Sequence, residues 1–236
     1  MSALKDTLID AGPCGIDPMV AGANIGFGVA LIRSAAGVVK GTKDDNSGGV
    51  IGFSVQPANN VVLDYDGFYV ASNKSGKPDV VRVARGGAKI NALVIAKANT
   101  SIQDGDYLEC APLGNAASYI GVLNEAGSNA GETRVNTAVA QALEECTITS
   151  SSYKTPASNV AIGDSAITFT AQNLALLNLS EGDYIVLEDV NGNAMLNRVK
   201  SLTSTVITLE LPSTVALTVS DSDLVYKVFQ VKARVL

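Results

Sequence analysis

The sequence predicts an all-β protein built as two small antiparallel β-barrel or β-sandwich domains behind an extended N-terminal arm. Three observations predict it. From Ile25 onward, short runs rich in Val, Ile, Phe and Tyr are bounded by Gly, Asn, Asp and Ser, which is the pattern of short strands joined by turns. A Ser/Thr-rich passage, "CTITSSSYKTPASNV" (146–160), interrupts that pattern and marks a boundary. The tripeptide Gly-Asp-Tyr occurs on both sides of it, at Gly105, Asp106 and Tyr107 and again at Gly182, Asp183 and Tyr184.

Residues 1–24 form the arm. "ALKDTLIDA" carries apolar residues at helical spacing, whereas in "GPCGIDPMVAGAN" Gly and Pro recur too often for either periodic structure. Residues 25–147 form the first domain, through "GFGVALIRS", "VVKGT", "GVIGFSVQ", "NVVLDYDGFYVAS", "DVVRVARGG", "INALVIAKA", "DYLECAPLG" and "YIGVLNE". Its last segment, "VNTAVAQALEE", suits a strand or a turn or two of helix. Residues 148–227 form the second domain, with strand-like runs "SAITFTA", "LALLNLS", "DYIVLEDVNGNAMLNRVKSL" and "TVITLELP". Within it Asn191 and Gly192 predict a type I′ hairpin. The closing "VFQVKARVL" alternates Gln230, Lys232 and Arg234 with Val231, Ala233 and Val235, which gives a strand one basic and one apolar face. It either closes the second domain or returns to pair with "AVAQALEE". In the latter case 228–236 complete the first domain and 148–227 are an insertion.

Composition bounds the chemistry. The 236 residues carry a net charge of -6, and only 17% are charged, so affinity for nucleic acid through clustered Lys and Arg is not expected. No run approaches the roughly 20 apolar residues of a membrane helix, and the first residues lack the apolar stretch of a secretory signal. The expectation is a soluble chain made in the cytoplasm, with no membrane partner. The absence of His removes the usual general base and the commonest metal ligand. Cys14, Cys110 and Cys146 are an odd, widely spaced set, read as three thiols or as one intermolecular disulfide in an assembly.

The acidic motifs have turn explanations. In both Gly-Asp-Tyr copies Gly supplies a positive φ, Asp bonds its own backbone, and Tyr begins a strand. The competing use of Asp104, Asp106 and Glu109, or of Glu181, Asp183, Glu188 and Asp189, is as cation ligands or an acid/base pair. "DVNGN" (189–193) starts like a calcium loop, but Lys200 stands where the closing carboxylate belongs. "VARGGAKINALVIAK" lacks the Gly-Lys-Ser/Thr order of a phosphate loop. No catalytic, cofactor-binding or metal-binding residue is expected. Lys74, Lys77, Arg82, Arg85, Lys89 and Lys97 stand against only Asp79, and such a concentration on an acidic protein is either a docking face for an acidic surface or a set of solvated strand edges.

The order of six pieces carries a resemblance: "IGFGVALI" (25–32), "GGVIGFSVQ" (48–56), "VRVARGG" (81–87), "IQDGDYLEC" (102–110), "YIGVLNE" (119–125) and "AVAQALEE" (138–145). In that order they resemble tailed-bacteriophage capsid decoration proteins, the structural cement or head-stabilising type, over about residues 25–145 and the closing "VKARVL". The later block, "GDYIVLED" onward, looks like small β-modules of phage structural proteins. The resemblance implies a non-enzymatic virion protein, without cofactor, made in the host cytoplasm and placed on the capsid exterior. It would bridge major capsid protein subunits and meet neighbouring copies of itself; on that reading the basic residues Lys74, Lys77, Arg82, Arg85 and Lys89, singled out by their concentration, and the N-terminal arm are the expected contacts. A second expectation is a tail, baseplate or fibre component that binds a host surface. A carboxylate-dependent hydrolase would need two carboxylates converging at roughly 5 to 9.5 Å.

Overall fold

The computed structural model describes residues 8–10, 15–23, 25–26, 28–41, 49–55, 73–74, 77–78, 80–95, 101–111, 121–126, 138–147 and 152–236, with 8–10, 73–74 and 77–78 as backbone only. The chain is all-β, as the sequence predicts, with one short α-helix and a 3-10 turn at Val219–Asp221 among the described residues. It divides into two compact units. Described residues within 148–229 form one, and those within 5–112, 121–147 and 230–236 form the other.

The discontinuous unit contains β1 (Leu8–Asp10), β2 (Ile16–Val20), β3 (Ala30–Ser34), β4 (Gly37–Lys40), β5 (Val50–Val55), β6 (Asn73–Lys74), β7 (Lys77–Pro78) and β8 (Val80–Ala84). It continues with β9 (Lys89–Val94), β10 (Tyr107–Cys110), β11 (Leu123–Glu125) and β12 (Ala140–Ala142). The inserted unit contains β13 (Tyr153–Lys154), β14 (Ala166–Thr168), helix α1 (Ala171–Leu177), β15 (Tyr184–Glu188), β16 (Ala194–Leu202), β17 (Val206–Leu209) and β18 (Leu224–Lys227). The last strand, β19 (Phe229–Val235), pairs with β12, setting Ala142 opposite Ala233 and Ala140 opposite Val235.

Among its described residues the discontinuous unit holds two large sheets and the small β6-β7 pair. The first runs β2-β8-β5-β3-β4, and a parallel bridge from Ala21 to Val38 joins its ends. The segment expected as an aperiodic arm therefore supplies a strand at Ile16–Val20, because β8 offers five successive backbone partners that outweigh the Gly and Pro around it. The second sheet runs β9-β11-β10-β12-β19 and is closed by pairing of β9 with β19, with β1 beside β9. On β8 the alternation is clear: Val81 and Val83 are buried while Val80 and Arg82 are exposed. "AVAQALEE" resolves as a strand, Ala140 and Ala142 facing the core and Gln141 half-buried.

Gly26 and residues 28–30 connect the two large sheets. Gly28 N–H donates to Ser54 O (3.0 Å), Ser54 N–H to Val29 O (3.0 Å), Leu93 N–H to Gly28 O (3.3 Å) and Ala30 N–H to Gly121 O (2.9 Å). The wholly buried Ser54 hydroxyl donates to Gly26 O (2.7 Å) and accepts from Val29 N–H (3.1 Å), so backbone groups that neither sheet ladder reaches are still satisfied.

In the inserted unit the sheet order is β13-β18-β15-β16-β17-β14, and Ala157 N–H donates to Thr168 O (2.7 Å), carrying the chain after β13 alongside β14. Ile167, Phe169, Leu174, Leu177, Ile185, Leu187, Val199, Ile207 and Val225 fill the core. The run "LALLNLS", expected as β, contributes to α1 instead. Thr170 Oγ1 caps Asn173 N–H, Leu174 and Leu177 fall on one buried face, and Asn178 ends the helix in the left-handed conformation (φ 46°). Lys227 Nζ donates to the Asn178 carbonyl and lies 5.8 Å from the Phe229 ring centroid. The hairpin at Asn191 and Gly192 is present, but only Gly192 has positive φ (79°). With Asp189 N–H bonded to Asn193 O (3.0 Å) and Gly192 N–H to Asp189 O (3.0 Å), it is the three-residue loop with a left-handed Gly, not type I′, because Val190 occupies a loop position.

Two stability outcomes follow from this packing. Gly52 has φ +149°, and a Cβ there would meet Ala84 O and lie 2.7 Å from Val83 Cγ1, whereas Gly105 (φ +90°) has open space around it. Gly52→Ala is expected to lose about 3 kcal/mol or more in urea unfolding, and Gly105→Ala about 1 kcal/mol. The second outcome concerns alkaline pH. Burial pushes the Tyr184 phenol up to about 12, partly offset by Arg198. Burial, then the charge and hydrogen bond of Glu188, push Tyr226 up as well. The unfolded phenol ionises near pH 10 while the folded one stays neutral, so this stability is present below pH 10 and lost as pH rises, by about 2 to 3 kcal/mol for Tyr184 between about pH 10 and 12. Tyr184→Phe should flatten the fall in urea midpoint over that window.

Candidate functional site

The basic residues singled out in the sequence are distributed over four elements. Lys74 and Lys77 are cross-strand partners in the two-residue strands β6 and β7. Arg82 projects outward from β8, exposed, opposite Pro18 of β2. Arg85 lies just past β8, its Nε 2.9 Å from Asp17 Oδ2, an ion pair without the alignment of a hydrogen bond. With both side chains a third or more exposed, that pair contributes little to stability. Residues 85–88 then turn through Gly87 (φ 85°), with Ala88 N–H donating to Arg85 O (2.9 Å). Lys89, half-buried, opens β9 opposite Asp10 of β1. Lys97 and Asp79 lie outside the described residues.

What this placement creates is a groove. Ile16, Pro18 and Arg82 line a cavity of about 290 Å³, and the ladder between β2 and β8 sets Ile16 opposite Ala84, Pro18 opposite Arg82, and Val20 opposite Val80. Cross-strand partners share a face, so one surface presents Arg82 between apolar neighbours. Val20 and Val80 are 47% and 58% exposed. Ile16, Pro18 and Val20 escape sequence reasoning because they fall in the Gly/Pro-rich stretch; the i, i+2 spacing of three apolar residues was the available signal.

The acidic residues serve the backbone. In residues 103–106, Asp106 N–H donates to Gln103 O (3.1 Å) and Gln103 N–H to Asp106 Oδ2 (2.7 Å). In residues 180–183, Asp183 N–H donates to Ser180 O (3.1 Å) and Ser180 N–H to Asp183 Oδ2 (2.8 Å). The glycines have φ 90° and 92°. A third copy, at residues 161–164, has the same bonds, Asp164 N–H to Ala161 O (3.1 Å) and Ala161 N–H to Asp164 Oδ2 (2.8 Å), with Gly163 at φ 96°. Ser165 replaces Tyr there, which hid it from the tripeptide pattern. Asp189 Oδ1 accepts from Asn191 N–H (2.9 Å) and Asn193 N–H (2.8 Å), and Glu188 accepts from Tyr226 Oη (2.9 Å). Asp104 and Glu181 occupy the second position of their turns.

Glu109 differs. It is wholly buried in β10, opposite Asn124 of β11, and neither carboxylate oxygen has a hydrogen-bond partner. Among the described residues no three Asp, Glu, Cys or His side chains are grouped to hold a metal ion. Cys110 is buried and Cys146 half-buried, both as thiols; Cys14 lies outside the described residues. No helix among them is long and apolar enough to cross a membrane. No protein-family model, curated protein or solved structure matches the chain.

A buried, unpartnered carboxyl is costly, and an apolar side chain of similar volume avoids that cost. Glu109→Met is therefore expected to raise the stability of the discontinuous unit by about 1 to 3 kcal/mol, read as a higher urea midpoint with unchanged slope.

Proposed function

We propose that the chain is a structural virion protein that decorates the outside of a phage-type icosahedral capsid and stabilises it by bridging major capsid protein subunits, meeting neighbouring copies of itself on the shell. One observation carries the reading: the described residues of the sequence pieces that resemble the decoration proteins fall in a single unit, completed by the closing strand after an insertion. A protein that binds only the assembled shell stabilises it by mass action, by RT ln(1 + [L]/Kd). Interfaces of that kind ordinarily bury about 1,200 to 2,000 Å², and basic groups at their rim favour association with an acidic surface. The side of the discontinuous unit that bears Arg82, next in sequence to Lys74 and Lys77, is the contact assigned by this reading.

The test is co-sedimentation of the purified chain with empty expanded heads and with unexpanded precursors of the phage that encodes it. Occupancy of expanded heads, reduced severalfold by Arg82→Glu and by raised salt, is the expected result. Binding to neither particle overturns the proposal. Attachment to cells or glycans without preference for heads assigns the chain to a tail, baseplate or fibre. Removing residues 1–7 is the suitable probe of the arm, since deletion as far as residue 20 also removes β1 and β2.

A further inference from the structure

We propose that the groove between β2 and β8 seats an extended protein segment that reads apolar, any residue, Asp or Glu, any residue, apolar, its carboxylate held by Arg82. The inference deepens the capsid reading by naming the chemistry of the contact, and rests on that reading for the protein that carries the segment.

Along one face the rungs Ile16/Ala84, Pro18/Arg82 and Val20/Val80 follow one another at two-residue intervals, about 7 Å apart. An extended segment displays alternate side chains at that same period, so three successive same-face positions of a ligand register with an apolar, a cationic and an apolar rung. Charge comes next. Arg85 is engaged by Asp17, while among the described residues no carboxylate pairs with Arg82, an exposed cation on a chain of net charge -6. A guanidinium offers a planar fork that matches a carboxylate in bidentate fashion. Apolar walls exclude water as the segment seats, which strengthens the pair relative to one on open surface.

The flanking rungs decide the rest of the ligand. On one side of Arg82, Val80 (58% exposed) and Val20 (47% exposed) present apolar surface, as does its partner Pro18; on the other side that surface comes from half-buried Ile16, since Ala84 is wholly buried. A hydrophilic acidic segment would leave them wet, whereas apolar residues beside the carboxylate cover them. An isolated anion such as phosphate would use Arg82 alone and none of these walls, so the geometry points to a peptide segment.

The test uses the full chain, isotopically labelled, titrated with two synthetic peptides: acetyl-Val-Thr-Glu-Thr-Val-amide and the same peptide with Gln in place of Glu. Expected are shifts of the Arg82 Nε–H and the Val20 and Val80 methyls, and affinity about tenfold higher for the Glu peptide, the size of one charge-assisted pair. Arg82→Met should abolish the preference with the β2 and β8 amide shifts retained. Arg234→Met, on the other sheet, should leave it intact. Equal affinities, shifts centred elsewhere, or no shift at millimolar peptide overturn the proposal. Concentration-dependent shifts of the same groups without peptide assign the groove to a second copy and overturn it as well. Because heads are absent from this titration, a peptide preference without head binding removes the capsid reading alone, and head binding without a peptide preference removes the groove alone.

Discussion

The discontinuous unit depends on Gly26 and residues 28–30 being held between two sheets at once. Gly28 sits at φ +64°, and a Cβ on it would lie 2.7 Å from Asn91 O; Gly121, at φ +68°, would place one 2.7 Å from Ala30 O. Both positions let backbone approach backbone closer than any side chain permits. Ser54 then supplies the bonds that this proximity leaves unmade, with its hydroxyl bonded to Gly26 and Val29. Ile25, Val29, Ala30 and Leu31 are wholly buried around that line. Two small sheets that would each be marginal with a single apolar face thereby share a core.

The inserted unit is organised differently, by local chemistry repeated. Two of the three reciprocal Asp turns lie within it, and each closes a connection by satisfying one N–H from a carboxylate and donating another in return. Asp223 does related work over a longer distance: buried, it accepts from Val190 N–H (2.7 Å) and Thr218 N–H (2.7 Å), tying the hairpin tip to the chain before β18. A carboxylate that accepts two backbone donors is spoken for by the fold. Asp183 and Asp189 read as candidate ligands by composition, yet Asp183 accepts from Ser180 N–H and Asp189 from both Asn191 and Asn193 N–H, so these carboxylates serve the backbone.

Strand identity was legible wherever alternation was undisturbed, as in "VVRVA", where Val81 and Val83 are in and Val80 and Arg82 out, or in β19 with Lys232 and Arg234 out. Short apolar runs were ambiguous for a physical reason. "LALLNLS" has the composition of a strand core, and what makes part of it helical is a cap at Thr170 outside the run and a shared wall for Leu174 and Leu177. Ile16–Val20 was hard to read as a strand because local propensity opposes it and only pairing with β8, 60 to 68 residues away, supplies the compensation. The groove inherits that limit. Arg82 was visible in the sequence, but its apolar companions on β2 come from a segment in which Gly and Pro obscure the i, i+2 spacing.

Insertion of one unit before the last strand of another raises a question of chain entropy, and the register answers it. Bringing Ala233 to Ala142 across some 90 residues of flexible chain costs on the order of 4 kcal/mol in loop closure. Within the inserted unit, however, Tyr153 pairs with Tyr226, with ring centroids 5.7 Å apart. Once that unit folds, its first and last strands are neighbours, and the flexible length left between Ala142 and Ala233 falls to about 18 residues, with a closure cost nearer 2.5 kcal/mol. The inserted unit can gain its own pairings first and then deliver β19 at a reduced entropic cost, which couples completion of the discontinuous unit to the folding of its insert.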